Sequence, residues 1–230
     1  MRNAKAIFKV SVISYFKIPA IIGMTAFLVL LPLVMYLLTR DGTQQPAEFV
    51  IAFAPMFVGM GMVGTASSFV MGDKVTMNLR FMSMAGVKPH QYLLGTGGAL
   101  LVIGFGVMFA YSQIARFSGE ALVAFLGISA LGSSIAILLG MSIGMFKFPW
   151  LGQPVGLLLA FGTMLSDANE RLASVFYYTF TMQIFNVLNA IVEYGYVVDM
   201  ARTVQIMIGN AVVVTVLFVL VNWNHGLHKV

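Results

Sequence analysis

The sequence predicts an all-α integral membrane protein, and three observations carry that expectation: its composition, the spacing of its charges and the asymmetry of its basic residues. Hydrophobic residues fill 60% of the 230 positions and charged residues 9%, with a mean hydropathy of +0.93. A soluble domain carries roughly 25% charged residues, so a water-exposed fold of this composition lacks the polar groups to cover its own surface. A bilayer removes that difficulty, because a span needs ~20 mostly apolar residues and a helix satisfies its backbone internally. No internal repeat or soluble linker interrupts the chain, which reads as a single transmembrane domain over 1–230.

Charges divide the chain into six apolar spans, at 20–39, 47–71, 93–115, 121–146, 151–166 and 203–221. Pro46, Gly72, the Gly119-Glu120 pair and the Pro149-Trp150 turn stand between them, each a residue type that starts or stops a helix. The fifth span is short. Ahead of the first, residues 1–18 carry Arg2, Lys5 and Lys9 at spacings of three and four, with Ile7, Val10 and Ser14 opposite. That stripe reads as an interfacial helix lying in the membrane plane. The apolar stretch after Lys17 is longer than a signal-peptide core and has no small-residue cleavage site, so the helix is expected to be retained.

Orientation follows from lysine and arginine. With the N-terminus inside, Arg2, Lys5, Lys9, Lys17, Lys74, Arg80, Lys88, Lys147 and Lys229 face the cytoplasm, while Arg40, Arg116, Arg171 and Arg202 face out. The acids separate as well, with Asp73 inside and Asp41, Glu48, Glu120, Asp167, Glu170, Glu193 and Asp199 outside. A multi-pass protein of the plasma (inner) membrane with both termini cytoplasmic is expected. The segment 167–199 has no charge between Arg171 and Glu193, yet Ser174, Thr179, Thr181, Gln183, Asn186 and Asn189 suit lipid poorly. A crossing there would also send Lys229 outside and reverse the asymmetry. It therefore reads as one or two helices re-entering from the outer leaflet, anchored by Phe176, Tyr177, Tyr178 and Phe180 as interfacial aromatics.

The absence of cysteine excludes thiol catalysis, thiolate metal sites and disulfides. Gly59-Met-Gly-Met-Val-Gly64 matches a dinucleotide fingerprint and approaches a phosphate-binding loop, but it lacks the lysine and lies inside an apolar span. Close helix packing is the better reading, as it is for Ala136, Gly140 and Gly144 at spacing four. His90, His225 and His228 have no metal-ligand company, no paired carboxylates lie within a span, and the basic residues form no aromatic-rich patch for nucleic acid. No catalytic residue, resident metal or cofactor is expected in this chain. An ion-coupled secondary transporter or a channel keeps an ionisable group or a broken helix at mid-membrane. Every charge here falls at a boundary, but Pro32, Pro55 and Pro154 hold that alternative open. A non-transporting assembly or anchor subunit is a third reading.

The loop 72–92 is the most informative stretch. Its residues predict a short helix over 74–85, stopped at Gly86, with Pro89 opening the next helix. Val75, Leu79 and Met82 fall on one face, an apolar stripe suited to docking. The Asp73-Lys74 pair, Thr76, the Leu79-Arg80 helix, the Gly86-Val87 turn and Tyr92-Leu93-Leu94-Gly95 together resemble the loop between the second and third spans of ABC-2-type permeases, the membrane subunits of bacterial ABC exporters. The order of interfacial helix, six spans and outer re-entrant pair is similar to that family too. Asp73 stands where the family usually has Glu, and Val75 interrupts its usual charged run. The resemblance implies cytoplasmic ATPase subunits that bind ATP and Mg, a second permease copy or homologue, and transport by alternating access. It implies ATPase docking through Asp73, Lys74, Leu79, Arg80 and Met82, and an outer gate near Tyr177, Tyr178, Phe180 and Gln183.

Overall fold

The computed structural model describes residues 2–17, 19–38, 46–146, 148–166, 168–195 and 199–225. Lys147, Asp167, Arg40, Asp41, His228 and Lys229 lie outside them, as does the side chain of His225. Ten helices and a 3-10 turn at Pro149–Leu151 run through the described residues: α1 (Arg2–Tyr15), α2 (Pro19–Leu38), α3 (Pro46–Val75), α4 (Asn78–Met84), α5 (Pro89–Ile114), α6 (Gly119–Met145), α7 (Gly152–Ser166), α8 (Glu170–Phe176), α9 (Phe180–Tyr194) and α10 (Met200–His225). No strand occurs among them.

Four helices, α3, α5, α6 and the 200–223 part of α10, are long and apolar enough to cross a bilayer. The protein is thus all-helical and multi-pass. α2 and α7 occupy the first and fifth expected spans; α7, at 15 residues, covers ~22 Å of the ~30 Å hydrocarbon core. One helix end shifts, α3 running past Gly72 to Val75, whereas α5 begins at the expected Pro89, whose missing N–H costs nothing in a first turn.

α3 is central, with 72% of its apolar window buried against 22% for α10. Its middle, Phe57–Val63, is π-helical, as is Leu93–Gly97 in α5. Pro55, just before the first of these, has no N–H to give, and the loosened ladder widens there. Small residues let the backbones close. A Cβ on Gly140 of α6 would overlap the Val63 carbonyl oxygen, and one on Gly156 of α7 would lie 2.7 Å from the Gly59 carbonyl oxygen. The glycine-rich stretch of α3 is therefore a packing surface, met by Gly156 of α7 and, at Val63, by Gly140 of α6, while Gly144 packs further along α3 on Ser67 and Val70 and Ala136 is buried.

α1 crosses the π-helical turn of α5. Ile7 seats on Gly95, the Ser11 hydroxyl pairs with Thr96 Oγ1 at 3.1 Å, and the buried Tyr15 hydroxyl pairs with Thr25 of α2. The buried seam is thus Ile7, Ser11 and Tyr15, whereas Val10, expected on it, is 61% exposed. Packing selected the hydroxyl that finds a partner over the apolar residue beside it. Lys5 and Lys9 stay exposed, as an interfacial helix requires.

α8 and α9 meet at 116°. Phe176 lies over Gly162 of α7, the Thr163 hydroxyl donates to Thr181 Oγ1 at 2.8 Å, and Ile184 lies against Gly132 in the middle of α6. Asn210 of α10 donates through Nδ2 to the Tyr178 carbonyl at 2.7 Å. Asn210 is ten residues beyond Met200, so the apex of the pair lies ~15 Å along α10 from its first residue.

Candidate functional site

The loop between α3 and α5 is built by polar ties among helix ends. The Thr76 hydroxyl donates to the Gly72 carbonyl at 2.8 Å, and Met77 turns left-handed at φ 59°, which stops α3. The helix expected over 74–85 therefore begins only at Asn78 and ends at Met84, and Asp73, Lys74 and Val75 belong to the last turns of α3. Gly86, at φ +73°, supplies the left-handed residue that closes α4, with the Val87 N–H donating to the Met82 carbonyl at 3.0 Å.

Asp73 and Lys74 are tethers rather than free docking groups. Asp73 accepts 2.7 Å from the hydroxyl of Tyr92, which is fully buried, and 3.3 Å from Asn78 Nδ2. It joins the end of α3 to the starts of α4 and α5. Lys74 Nζ donates to the carbonyls of Met145 and Phe146 at 2.8 and 3.1 Å. Those are terminal carbonyls of α6, where the helix dipole leaves partial negative charge. Ser67 repeats the pattern one level deeper, donating to the Pro149 carbonyl at 2.8 Å.

The expected apolar stripe divides: Leu79 and Met82 turn inward and Val75 outward. Leu79 is 2% exposed and packs in the core, and Met82 is half-buried against it. The outward apolar residues are Val75, Phe81 and Met84, at 72%, 62% and 66% exposure, with Met77 and the exposed Arg80 among them. Met77, Phe81 and Met84 repeat the same four-and-three spacing as Val75, Leu79 and Met82. Spacing in a helix apolar on most sides does not select the buried stripe; the left-handed break at Met77 does.

The four residues expected at an outer gate lie together, at the bend between α8 and α9. Gln183 Nε2 donates to the Tyr177 carbonyl at 2.5 Å, and the Tyr177 and Tyr178 rings meet edge-on at 5.1 Å. Phe180 and Gln183 are buried, so they pin the apex, while Tyr178 is exposed. Arg202 lies over the Tyr177 ring at 5.2 Å, a cation–π partner that sequence order did not suggest. No cluster of three or more His, Asp or Glu residues stands where it would hold a metal among the described residues.

Fold and site together define a multi-pass, all-helical membrane protein that carries a short helix with an outward apolar face at one end of its bundle. Comparison with family models, curated proteins and solved structures finds no match to this chain.

Proposed function

We propose that the chain is the permease subunit of an ATP-driven ABC exporter, moving cargo by alternating access powered by separate cytoplasmic ATPase subunits. The observation that carries the reading is α4, which presents Phe81 and Met84 outward beside Arg80 while its root is tied into three spans. A partner that moved α4 would pull on Leu79 and on the Asp73–Tyr92 contact, and through Lys74 on the end of α6. ATP and Mg would be held by the partner, and a second permease copy or homologue would complete the pathway.

In this reading α2, α3, α5, α6, α7 and α10 are the six spans, α1 lies in the interface, and both termini are cytoplasmic. α8 and α9 re-enter from the outer face. The contacts of the pair with Gly132 and Asn210 support this, because both lie well inside their helices, while Thr163, in the last turn of α7, ties the apex to a helix end.

An ion-coupled transporter or channel is the second reading. It is favoured by the proline and π-helical interruption in the middle of α3, since interrupted helices commonly frame ion sites.

The test is co-purification with a candidate P-loop ATPase, sought in the gene beside this one. Phe81→Asp is expected to insert, elute as a single species and fail to hold the ATPase, because a charge desolvated in an apolar groove without a partner costs several kcal/mol. Retention of the ATPase at the parent's level would remove α4 as the docking element.

A further inference from the structure

A cleft of about 550 Å³ opens between α1, the last turns of α3 and the start of α4. Ile7, Val10, Phe69 and Met82 make the apolar part of its lining, and serine, threonine, asparagine and charged side chains make the polar part. Lys17 lines it from the turn after α1 and Asp73 from the end of α3. The hydroxyls of Ser14 and Ser68 line it too, and neither has a hydrogen-bond partner among the described residues. Asp73 spends two acceptor positions, on Tyr92 and Asn78, whereas an ionised carboxylate has about four.

We propose that this cleft binds the head group of a zwitterionic phospholipid, with its phosphate on Lys17, Ser14 and Ser68 and its primary ammonium on Asp73. One cation and one anion in the lining of the same cleft match a head group carrying both charges. The carboxylate has spare acceptors, which calls for N–H donors on the ligand and favours phosphoethanolamine over a quaternary choline head. The apolar part of the lining suits the start of the acyl chains, and α1, with Lys5 and Lys9 exposed, is read as an interfacial helix at the depth where head groups sit. The inference rests on the membrane character of the chain and not on an ATPase partner.

The full-length protein, purified in mild detergent, is incubated with a phosphatidylethanolamine bearing a photoreactive group near the head, and labelled peptides are mapped by mass spectrometry. Label is expected on the segments containing Ser14–Lys17 and Ser68–Asn78. Unlabelled phosphatidylethanolamine should compete, while phosphatidylcholine, phosphatidylglycerol and the soluble glycerophosphoethanolamine should compete at least roughly tenfold less well, the loss expected for one charge-assisted contact or for the acyl chains. Lys17→Gln, a change at an exposed position, and Asp73→Asn should each reduce labelling by a similar factor while the protein still elutes as a single species. Equal competition by phosphatidylglycerol would reduce the site to a phosphate contact, and success of the soluble head group would make it a site for a free metabolite. Labelling that Lys17→Gln leaves unchanged, or that spreads evenly onto α10, would mean annular lipid only; each of these three results overturns the proposal.

Discussion

Gly140 and Gly127 lie on the same helix and carry opposite expectations. A methyl group at Gly140 runs into the Val63 carbonyl oxygen, which is backbone and unable to rotate away, whereas nothing lies within 4 Å of the position a Cβ would take at Gly127. Gly140→Ala should therefore destabilise by about 1–3 kcal/mol, the usual cost of overpacking. Gly127→Ala should be neutral or stabilise by up to about 1 kcal/mol through backbone entropy. Thermal unfolding in detergent reads both signs, and a stabilising Gly140→Ala would mean that α3 and α6 are not in register here. Lys74→Met removes two contacts to the terminal carbonyls of α6 and should cost about 1–2 kcal/mol on the same assay, with insertion preserved. That lysine looked like a docking charge in the sequence. Only the approach of the α6 terminus, seventy-one residues away along the chain, makes it a tether.

Among the elements, α4 and the α8–α9 pair are where pattern and structure part. The apolar residues of α4 occupy more than one face, and its buried stripe was set by the break at Met77 and by the ties of Asp73, neither of which periodicity reports. The expected consequence is a split between two neighbours. Leu79→Asp should lose folded protein altogether, since it buries a charge in the core, while Phe81→Asp should leave yield and elution unchanged. Equal yields for the two, read by fluorescence-detected chromatography, would reverse the assignment of faces. Two of the polar residues in α9 that argued against lipid exposure are spent inside the bundle, Thr181 on Thr163 and Gln183 on Tyr177, while Ser174 of α8 is exposed. If the pair re-enters, cysteines placed at Ser174 and Glu193, both exposed, should react with an impermeant thiol reagent from the same, outer side of the membrane in this cysteine-free chain. Labelling from opposite sides would make the pair a broken span.

For the whole molecule, the proposal predicts transport that needs ATP hydrolysed by another chain and needs no ion gradient. The glycine-rich stretch in α3 is occupied by helix packing and has no lysine to reach a phosphate, and no Asp, Glu, Lys or Arg interrupts the described residues 49–72 of α3 or 121–145 of α6. Liposomes holding the permease with the candidate ATPase should move cargo on ATP addition with an ionophore present. Movement by the permease alone that stops when the gradient is collapsed would promote the secondary transporter. The membrane class was legible from residues alone, because mean hydropathy and charge spacing are sums over the chain that no packing detail can reverse. The helix-stop at Gly86 and the start at Pro89 were legible for the same kind of reason, being local backbone restrictions. The faces of α1 and α4, the tethering roles of Asp73 and Lys74, and the contacts of the α8–α9 pair with α6, α7 and α10 were decided by tertiary structure. Each depends on which distant carbonyl, hydroxyl or glycine arrives opposite a side chain, and in a chain so uniformly apolar many faces satisfy the pattern equally until the polar groups find their partners.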